Sequence, residues 1–483
     1  MILEQKIRRG LAYVFLSTLG SRAVSFAADI ALMRLLLPEQ HGAMAFGMLM
    51  VSSLALLRSL GVGEALIFRR EVDQESCDTA FALSAALAVA LYFIVFFAAP
   101  SLALWLAGAD SRALVELLRV LGVLVVLQGL GNVPSALLER ELAFDKKIYV
   151  DALPTFAYAL LAVGLAWSGF GVWSMVWGRL LASLISLVAA WSLSTWRPHW
   201  HFDWLRLRQL GAYGWYVSAA AIVSFFVVSV DDLLVGRLGG PLDLGYYARA
   251  YIIANLPVTA VAHVASRVAF PAYARLAGGG GDVGAMYRRM LGGVALLTLP
   301  MALSLVLLAR PFTESVLGPV WLPIVPLIQC LGVFSFMRSL LSNTGPLFNA
   351  LGQPSAILKT NILQLVLLGI VLYPLVERFG ALGAALAIAL CSLMSAPLAL
   401  YFVHSIAGVG WGQQVAIIRP LLLPAIGAAV VMVVLREMLN AAGGLAVCIG
   451  AGTMGMVVYG GMLYRWQRPA LMQALALVSG RNQ

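Results

Sequence analysis

Charge is what this chain has least of. Of its 483 residues, 32 are Lys or Arg, 22 are Asp or Glu and only 11% are charged in all. A soluble globular chain carries about 25%. Hydrophobic residues make up 61%, too many for a soluble fold to hide without large exposed patches. Disorder and a soluble multidomain protein are therefore excluded. Cysteine is also scarce: Cys77, Cys330, Cys391 and Cys448 form no C-x-x-C pair, so neither a disulfide framework nor a metal site is expected. Nothing reads as a nucleotide-binding loop. The glycine run at 278–281 has no Lys-Ser/Thr after it and follows no strand, so it reads as a flexible cytoplasmic link. His199-x-His201 has no further ligands nearby, which argues against a metal.

In place of charge there are long apolar runs, and the mean hydropathy is +0.92. A bilayer core takes about 20 apolar residues per helix. About fourteen such runs can be placed, from Leu11–Met33 to Leu445–Tyr464. Lys6, Arg8 and Arg9 ahead of the first run resemble a signal peptide. Arg22 and Asp29 interrupt that run, however, and it continues past signal length without a small-x-small cleavage site. A retained first helix is expected. The fold class is all-α and polytopic, with short connections.

The net charge of +10 finds its explanation in topology. Cytoplasmic loops carry Lys and Arg in excess. The N-terminus, the even-numbered loops (Arg69 and Arg70; Arg140, Lys146 and Lys147; Arg197, Arg206 and Arg208; Arg267, Arg275, Arg288 and Arg289) and the C-terminus hold most of them. The odd-numbered loops have about one each: Arg34, Arg112, Arg237, Arg310, Arg378 and Arg436. Both termini are expected in the cytoplasm. The basic excess is a topogenic signal with some attraction to anionic lipid, and nucleic-acid binding is disfavoured.

The chain also repeats itself. Asp29, Arg34, Leu35, Pro38, Gly42 and Ala45 recur as Asp232, Arg237, Leu238, Pro241, Gly245 and Ala248, at one offset of 203. Phe170-Gly171 recurs as Phe379-Gly380 at an offset of 209. The units are six helices apart, so both halves have the same orientation, the parallel type of repeat. The expected organisation is an N-lobe at 1–195, an interfacial cytoplasmic linker at 196–209, a C-lobe at 210–405, and two extra helices with a tail at 406–483. Trp196, Trp200, Phe202 and Trp204 interleaved with Arg favour the membrane–water interface, and a helix is one option there. Two like lobes facing a central cavity is the geometry of alternating-access transport.

Ionisable groups within the spans each need a reason. Arg22 and Asp29 lie seven apart on the first helix and share roughly one face. Arg58 ends the second, Asp231 and Asp232 lie near the outer end of the seventh, Arg249 is in the eighth and Arg179 in the sixth. Arg22, Arg58, Arg249 and Arg179 are candidates for binding an anionic group, because the planar guanidinium suits phosphate. Asp29, Asp231 and Asp232 are candidate counter-ions or coupling-cation sites. The plainer alternatives are internal Arg–Asp pairs that hold helices together, and snorkelling of Arg58 and Arg249 to an interface. Arg34 and Arg237 read as C-terminal helix caps, and Pro38 and Pro241 as the stop signals after them.

The stretches Arg34-Leu-Leu-Leu-Pro-Glu-Gln-His-Gly42, Val133-Pro-Ser-Ala-Leu-Leu-Glu-Arg-Glu-Leu-Ala-Phe144, Gly169-Phe-Gly-Val-Trp173, Asp231-Asp-Leu-Leu-Val-Gly-Arg237, Leu244-Gly-Tyr-Tyr-Ala-Arg-Ala-Tyr251, Val268-Ala-Phe-Pro-Ala-Tyr273 and Asn349-Ala-Leu-Gly-Gln-Pro354 follow in order along the chain. In them the chain resembles the polysaccharide transporter (WzxC-like) family of lipopolysaccharide and exopolysaccharide flippases, in the multidrug/oligosaccharidyl-lipid/polysaccharide superfamily. The resemblance implies a bacterial inner-membrane protein that passes an undecaprenyl-diphosphate-linked oligosaccharide to the periplasmic leaflet, with polymerisation and export machinery acting afterwards. It also implies a cationic cavity, in which Arg22 has a plausible place. The family has no short catalytic motif to carry over, and no enzyme activity or cofactor is expected. Coupling to H+, Na+ or the membrane potential is the expected energy source. A cation antiporter of the same superfamily is the alternative, kept open by Asp29 and Asp232. A membrane polysaccharide polymerase or ligase is a remote third, since the outer loops are short, the longest at about Gly236–Leu244.

Overall fold

The computed structural model describes residues 20–59, 66, 73–107, 111–141, 144–199, 203–439 and 443–466. The start of the first apolar run, Lys6, Arg8, Arg9, Arg69, Arg70, His201, Arg468 and Arg481 lie outside the described residues. The chain divides into two compact units, 1–245 and 246–483. All the described regular structure is helical. That follows from the solvent: with no water in a bilayer core, a helix satisfies its own backbone groups.

The first unit holds α1 (residues 20–35), α2 (Pro38–Ser59), α3 (Gln74–Ala107), α4 (Arg112–Arg140), α5 (Phe144–Trp167), α6 (Val172–Leu193) and most of α7 (Trp204–Ala254). The second holds the end of α7, α8 (His263–Gly278, entered through a π-helical turn at Val258–Ala262), α9 (Val283–Leu307), α10 (Val325–Leu341), α11 (Pro354–Ala407), α12 (Trp411–Met438) and α13 (Gly444–Trp466). Polar caps hold the ends of these charge-poor helices. Ser111 accepts from Leu114 N at 3.3 Å and Asp282 from Ala285 N at 2.8 Å. Each satisfies one of the N–H groups that a helix start leaves open.

α7 and α11 are too long for one crossing. The 54 residues of α11 would reach about 80 Å, against a hydrocarbon core of about 30 Å. Each is broken at one glycine, Gly240 (φ 72°, ψ −171°) and Gly380 (φ 55°, ψ −135°). Dividing them there, and joining the end of α7 to α8, gives fourteen long helical segments in succession among the described residues. By length and composition ten described helices qualify as membrane-crossing, and the bent pair 228–254 with 258–278 adds one. The chain is a multi-pass membrane protein.

Three sequence expectations need adjustment. The outer loop expected at Gly236–Leu244 is a corner inside α7, where only Gly240 departs from helical geometry. Pro38 and Pro241 do end the preceding helices, but each also opens the next, since the fixed φ of proline suits the first helical position. In the linker, residues 194–199 are non-helical, and helix resumes at Trp204. Pro198 disfavours a helical residue before it. Side chains on α3 provide hydrogen-bond partners for the strap: Gln74 Nε2 donates to Arg197 O (2.7 Å), His199 N to Asp78 Oδ1 (3.1 Å) and Asp203 N to Thr79 Oγ1 (3.2 Å). Trp196 is buried edge-on against Phe81, with ring centroids 5.6 Å apart.

The division between units therefore falls one helix beyond the linker. Within the first unit α7 is held by Arg237, which lies 5.5 Å over the Trp105 ring, and by Gly236, packed against Leu106. In the second unit α12 and α13 pack on α9 through Ala295, Leu299, Leu421, Ala428 and Tyr459.

Gly171 (φ 57°, ψ −137°) and Gly380 (φ 55°, ψ −135°), the second sequence echo, share one backbone conformation that only glycine adopts readily. Gly171→Ala and Gly380→Ala should each cost about 1–3 kcal/mol, seen as a lower Tm in detergent. Gly369→Ala, at a helical position with open space around it, should leave Tm unchanged or slightly higher. Equal Tm values for all three would show that the conformation is not required.

Candidate functional site

The corner between α1 and α2 is tightly tied. The His41 ring, fully buried, bonds Leu32 O through Nε2 at 3.3 Å, and Leu37 N donates to Gln40 Oε1 at 3.1 Å. This corner meets its repeat-related counterpart in α7. A β-carbon on Gly42 would lie 1.7 Å from Pro241 O and 2.8 Å from Gly245 N. One on Gly245 would lie 2.0 Å from Pro38 O and 3.1 Å from Gly42 N. Pro38 and Gly42 correspond to Pro241 and Gly245 at the offset of 203. The contact is thus reciprocal, as in a two-fold interface. Only backbone fits there, which explains glycine at both positions.

The intramembrane charges lie in different surroundings. On α1, Arg22 is exposed and Asp29 half-buried. Arg58, at the end of α2, is buried, and its Cδ is 3.4 Å from where a Gly129 β-carbon would be. Ser84 of α3 and Asn132 of α4, joined by a 3.3 Å hydrogen bond, supply polar groups to the same α3–α4 seam. Arg179 is exposed and lies 4.3 Å over the Tyr158 ring, a cation–π contact. Asp231 is buried and Asp232 half-buried, adjacent on α7. Arg249 is buried at the α7 end that belongs to the second unit. Arg58 and Arg179 therefore do not share surroundings, one sitting in the α3–α4 seam and the other on an α5 ring.

Two further arginines escaped the sequence reading. Arg338 of α10 donates through Nη1 to Tyr251 Oη, and its guanidinium is 5.9 Å from the Phe334 ring. Tyr251 in turn lies 6.3 Å from the fully buried Tyr247. Arg119 of α4 lies 4.4 Å over Phe96. Both sit inside apolar runs and were legible as intramembrane cations, though neither is on the first two helices of a lobe. Among the described residues no three of His, Cys, Asp and Glu gather as metal ligands. The chemistry available is a set of guanidinium forks with Tyr and Trp rings, suited to phosphate oxygens and sugar faces.

The family model described as "Polysaccharide biosynthesis protein" matches residues 31–326. The chain belongs to this family. It is 26% identical to the succinoglycan biosynthesis transport protein ExoT of Rhizobium meliloti over 356 residues, covering 72% of this chain and 70% of that one. It is 24% identical to the teichuronic acid biosynthesis protein TuaB of Bacillus subtilis (70% of each chain). It is 23% identical to the lipopolysaccharide biosynthesis protein WzxC of Escherichia coli (83% and 82%). Among solved structures, the lipid II flippase MurJ in an inward closed conformation superimposes with a TM-score of 0.78 at 13% identity, over 94% of this chain and 99% of that one. An inward-facing multidrug resistance MATE family transporter of the MOP superfamily gives 0.64 at 18% identity, over 82% and 95%. These structural likenesses establish the fold, that of polytopic transporters.

Gly129→Ala would place its β-carbon 2.5 Å from Ala88 Cβ, forcing α3 and α4 apart beside Arg58 at a cost of about 1–3 kcal/mol. A lower Tm should report it. Gly131→Ala, whose nearest neighbour is 3.4 Å away, should change Tm little. A Gly129→Ala protein with unaltered Tm would mean that the Arg58 seam has slack.

Proposed function

We propose that this member of the polysaccharide biosynthesis family is a flippase. It moves an undecaprenyl-diphosphate-linked oligosaccharide from the cytoplasmic to the periplasmic leaflet of a bacterial inner membrane, with both termini in the cytoplasm. The observation that carries the reading is the family match over 31–326, with relatives named for succinoglycan transport and lipopolysaccharide biosynthesis. The arginines within the spans support it. A diphosphate brings negative charge into a low-dielectric setting, and a guanidinium fork meets it with two parallel hydrogen bonds. In this reading Arg22 meets the diphosphate from the first unit, and Arg249 of the second unit, like Arg58 and Arg179 in their separate surroundings, adds positive charge along the spans. Asp29, Asp231 and Asp232 balance those cations or take up a coupling H+ or Na+. The polyprenyl tail stays in lipid. No bond of the glycan is made or broken by this chain, and polymerase and export machinery act on the product. The carboxylates also suit a cation antiporter, but the sequence relatives are glycan proteins.

Alternating access supplies the mechanism. The corners at Pro38–Gly42 and Pro241–Gly245 lie on the outer side by the Lys and Arg count. Their crossing closes the path outward, and it parts when the glycan leaves. The approach is backbone on backbone, and bound substrate that favours the parted state shifts the balance toward it.

Arg22→Ala and Arg249→Ala should abolish surface polysaccharide while the protein still accumulates in the membrane, and Arg22→Lys should recover part of it. Normal polymer with both alanine variants at normal abundance would refute the diphosphate role. Gly42→Val and Gly245→Val should disfavour the closed crossing by about ten- to a hundredfold, the equivalent of a clash of about 1–3 kcal/mol. Polymer export by either should fall accordingly, and wild-type export by both would show that the crossing is no gate.

A further inference from the structure

A cavity of about 400 Å³ opens between α3, α4 and the start of α6. Its polar lining is Glu116 and Arg119. Tyr92, Phe96 and Trp173 supply aromatic walls, and two valines complete it. Arg119 Nε donates to Phe96 O at 3.1 Å, and its guanidinium lies flat over the Phe96 ring, 4.4 Å from the centroid. The terminal nitrogens Nη1 and Nη2 have no hydrogen bond among the described residues. Glu116 is exposed, and among the described residues it has neither hydrogen bond nor ion pair. Acid and base are thus one helical turn apart on α4, on neighbouring positions, yet they do not pair.

The depth of the cavity narrows the ligand. Glu116 is four residues into α4 from Arg112, about 6 Å along the axis, so it lies at head-group level and not mid-bilayer. Phe93, Ile94 and Phe97 of α3, beside Tyr92 and Phe96, are exposed apolar side chains of the kind that faces acyl chains. A ligand that brings a cation to Glu116 and an anion to the terminal nitrogens of Arg119 uses both charges of the cavity at once. An anionic head group would satisfy Arg119 and repel Glu116. A neutral sugar would leave both without a counter-charge.

We propose that this cavity is a binding site for the head group of a zwitterionic phospholipid in the outer leaflet. The phosphate sits on the Nη1 and Nη2 side of Arg119. The ammonium, joined to it by a two-carbon tether, reaches Glu116 across one helical turn and faces the rings of Tyr92 and Trp173, where a cation is favoured. The acyl chains run down α3 along Phe93 and Phe97. The site belongs to the first unit alone and does not depend on the identity of the transported glycan.

The test is native mass spectrometry of the full chain in mild detergent with equimolar phosphatidylethanolamine, phosphatidylglycerol and a glucosyl diacylglycerol. The wild-type chain should retain phosphatidylethanolamine over both others. The isosteric Glu116→Gln should weaken that retention about tenfold, the loss of one hydrogen bond to a charged group, and should erase the preference over phosphatidylglycerol. Arg119→Gln should weaken both phospholipids. Equal retention of phosphatidylglycerol by the wild type, preference for the glucosyl lipid, or an unchanged profile in Glu116→Gln would each overturn the proposal. If Arg119→Gln fails to accumulate, Glu116→Gln decides alone.

Discussion

Where Pro38 O passes Gly245 and Pro241 O passes Gly42, no side chain fits, and the two corners of the first unit are shaped by that contact. The close approach requires a corner in each repeat-related stretch. Proline supplies both corners by ending one helix and opening the next. His41 and Gln40 then fix the first corner, and Gly240 turns the second. In both stretches the proline carbonyl lies against the other's glycine. Such a contact is self-consistent only if both copies keep the Pro-x-x-x-Gly spacing, which they do. The reciprocal approach thereby has two equivalent halves.

The second constraint is the cost of cations in an apolar setting, and aromatic rings are one way the fold meets it. Arg119, Arg179, Arg237 and Arg338 lie over Phe96, Tyr158, Trp105 and Phe334, and Lys359 lies over Phe402. A guanidinium stacks on an aromatic face and still has in-plane N–H groups to offer. A carboxylate partner would cancel its charge. Stacking keeps that charge available to a phosphate, which suits a chain proposed to handle a diphosphate and, at Arg119, a lipid head group.

The membrane architecture was legible because the bilayer imposes a length on each apolar run, and fourteen runs became fourteen helical segments. The echoes at offsets of 203 and 209 were legible from a handful of residues, and Gly171 and Gly380 share a backbone geometry that their sequence context alone does not specify. What hydropathy hid was detail set by tertiary contact. The stretch 236–244 looked polar and glycine-rich enough for a loop, yet packing against Leu106 and the crossing with α2 keep it helical on both sides of Gly240. The linker's extended course depends on Gln74, Asp78 and Thr79, more than 120 positions away. Arg58 was placed at a helix end by sequence, but its packing against Gly129 requires knowing how α3 and α4 meet.

The central claim is that the reciprocal crossing opens and closes. Glu39 and Leu242 are exposed, repeat-related positions flanking it. Spin labels on cysteines at these two sites, in a background with the four native cysteines replaced, report the distance across the crossing by pulsed electron paramagnetic resonance in nanodiscs. The account predicts a short distance together with a longer one. Gly42→Val should enrich the longer population, and polyprenyl-diphosphate-linked oligosaccharide should shift the balance between the two. A single short distance, unmoved by substrate and by Gly42→Val, would contradict it.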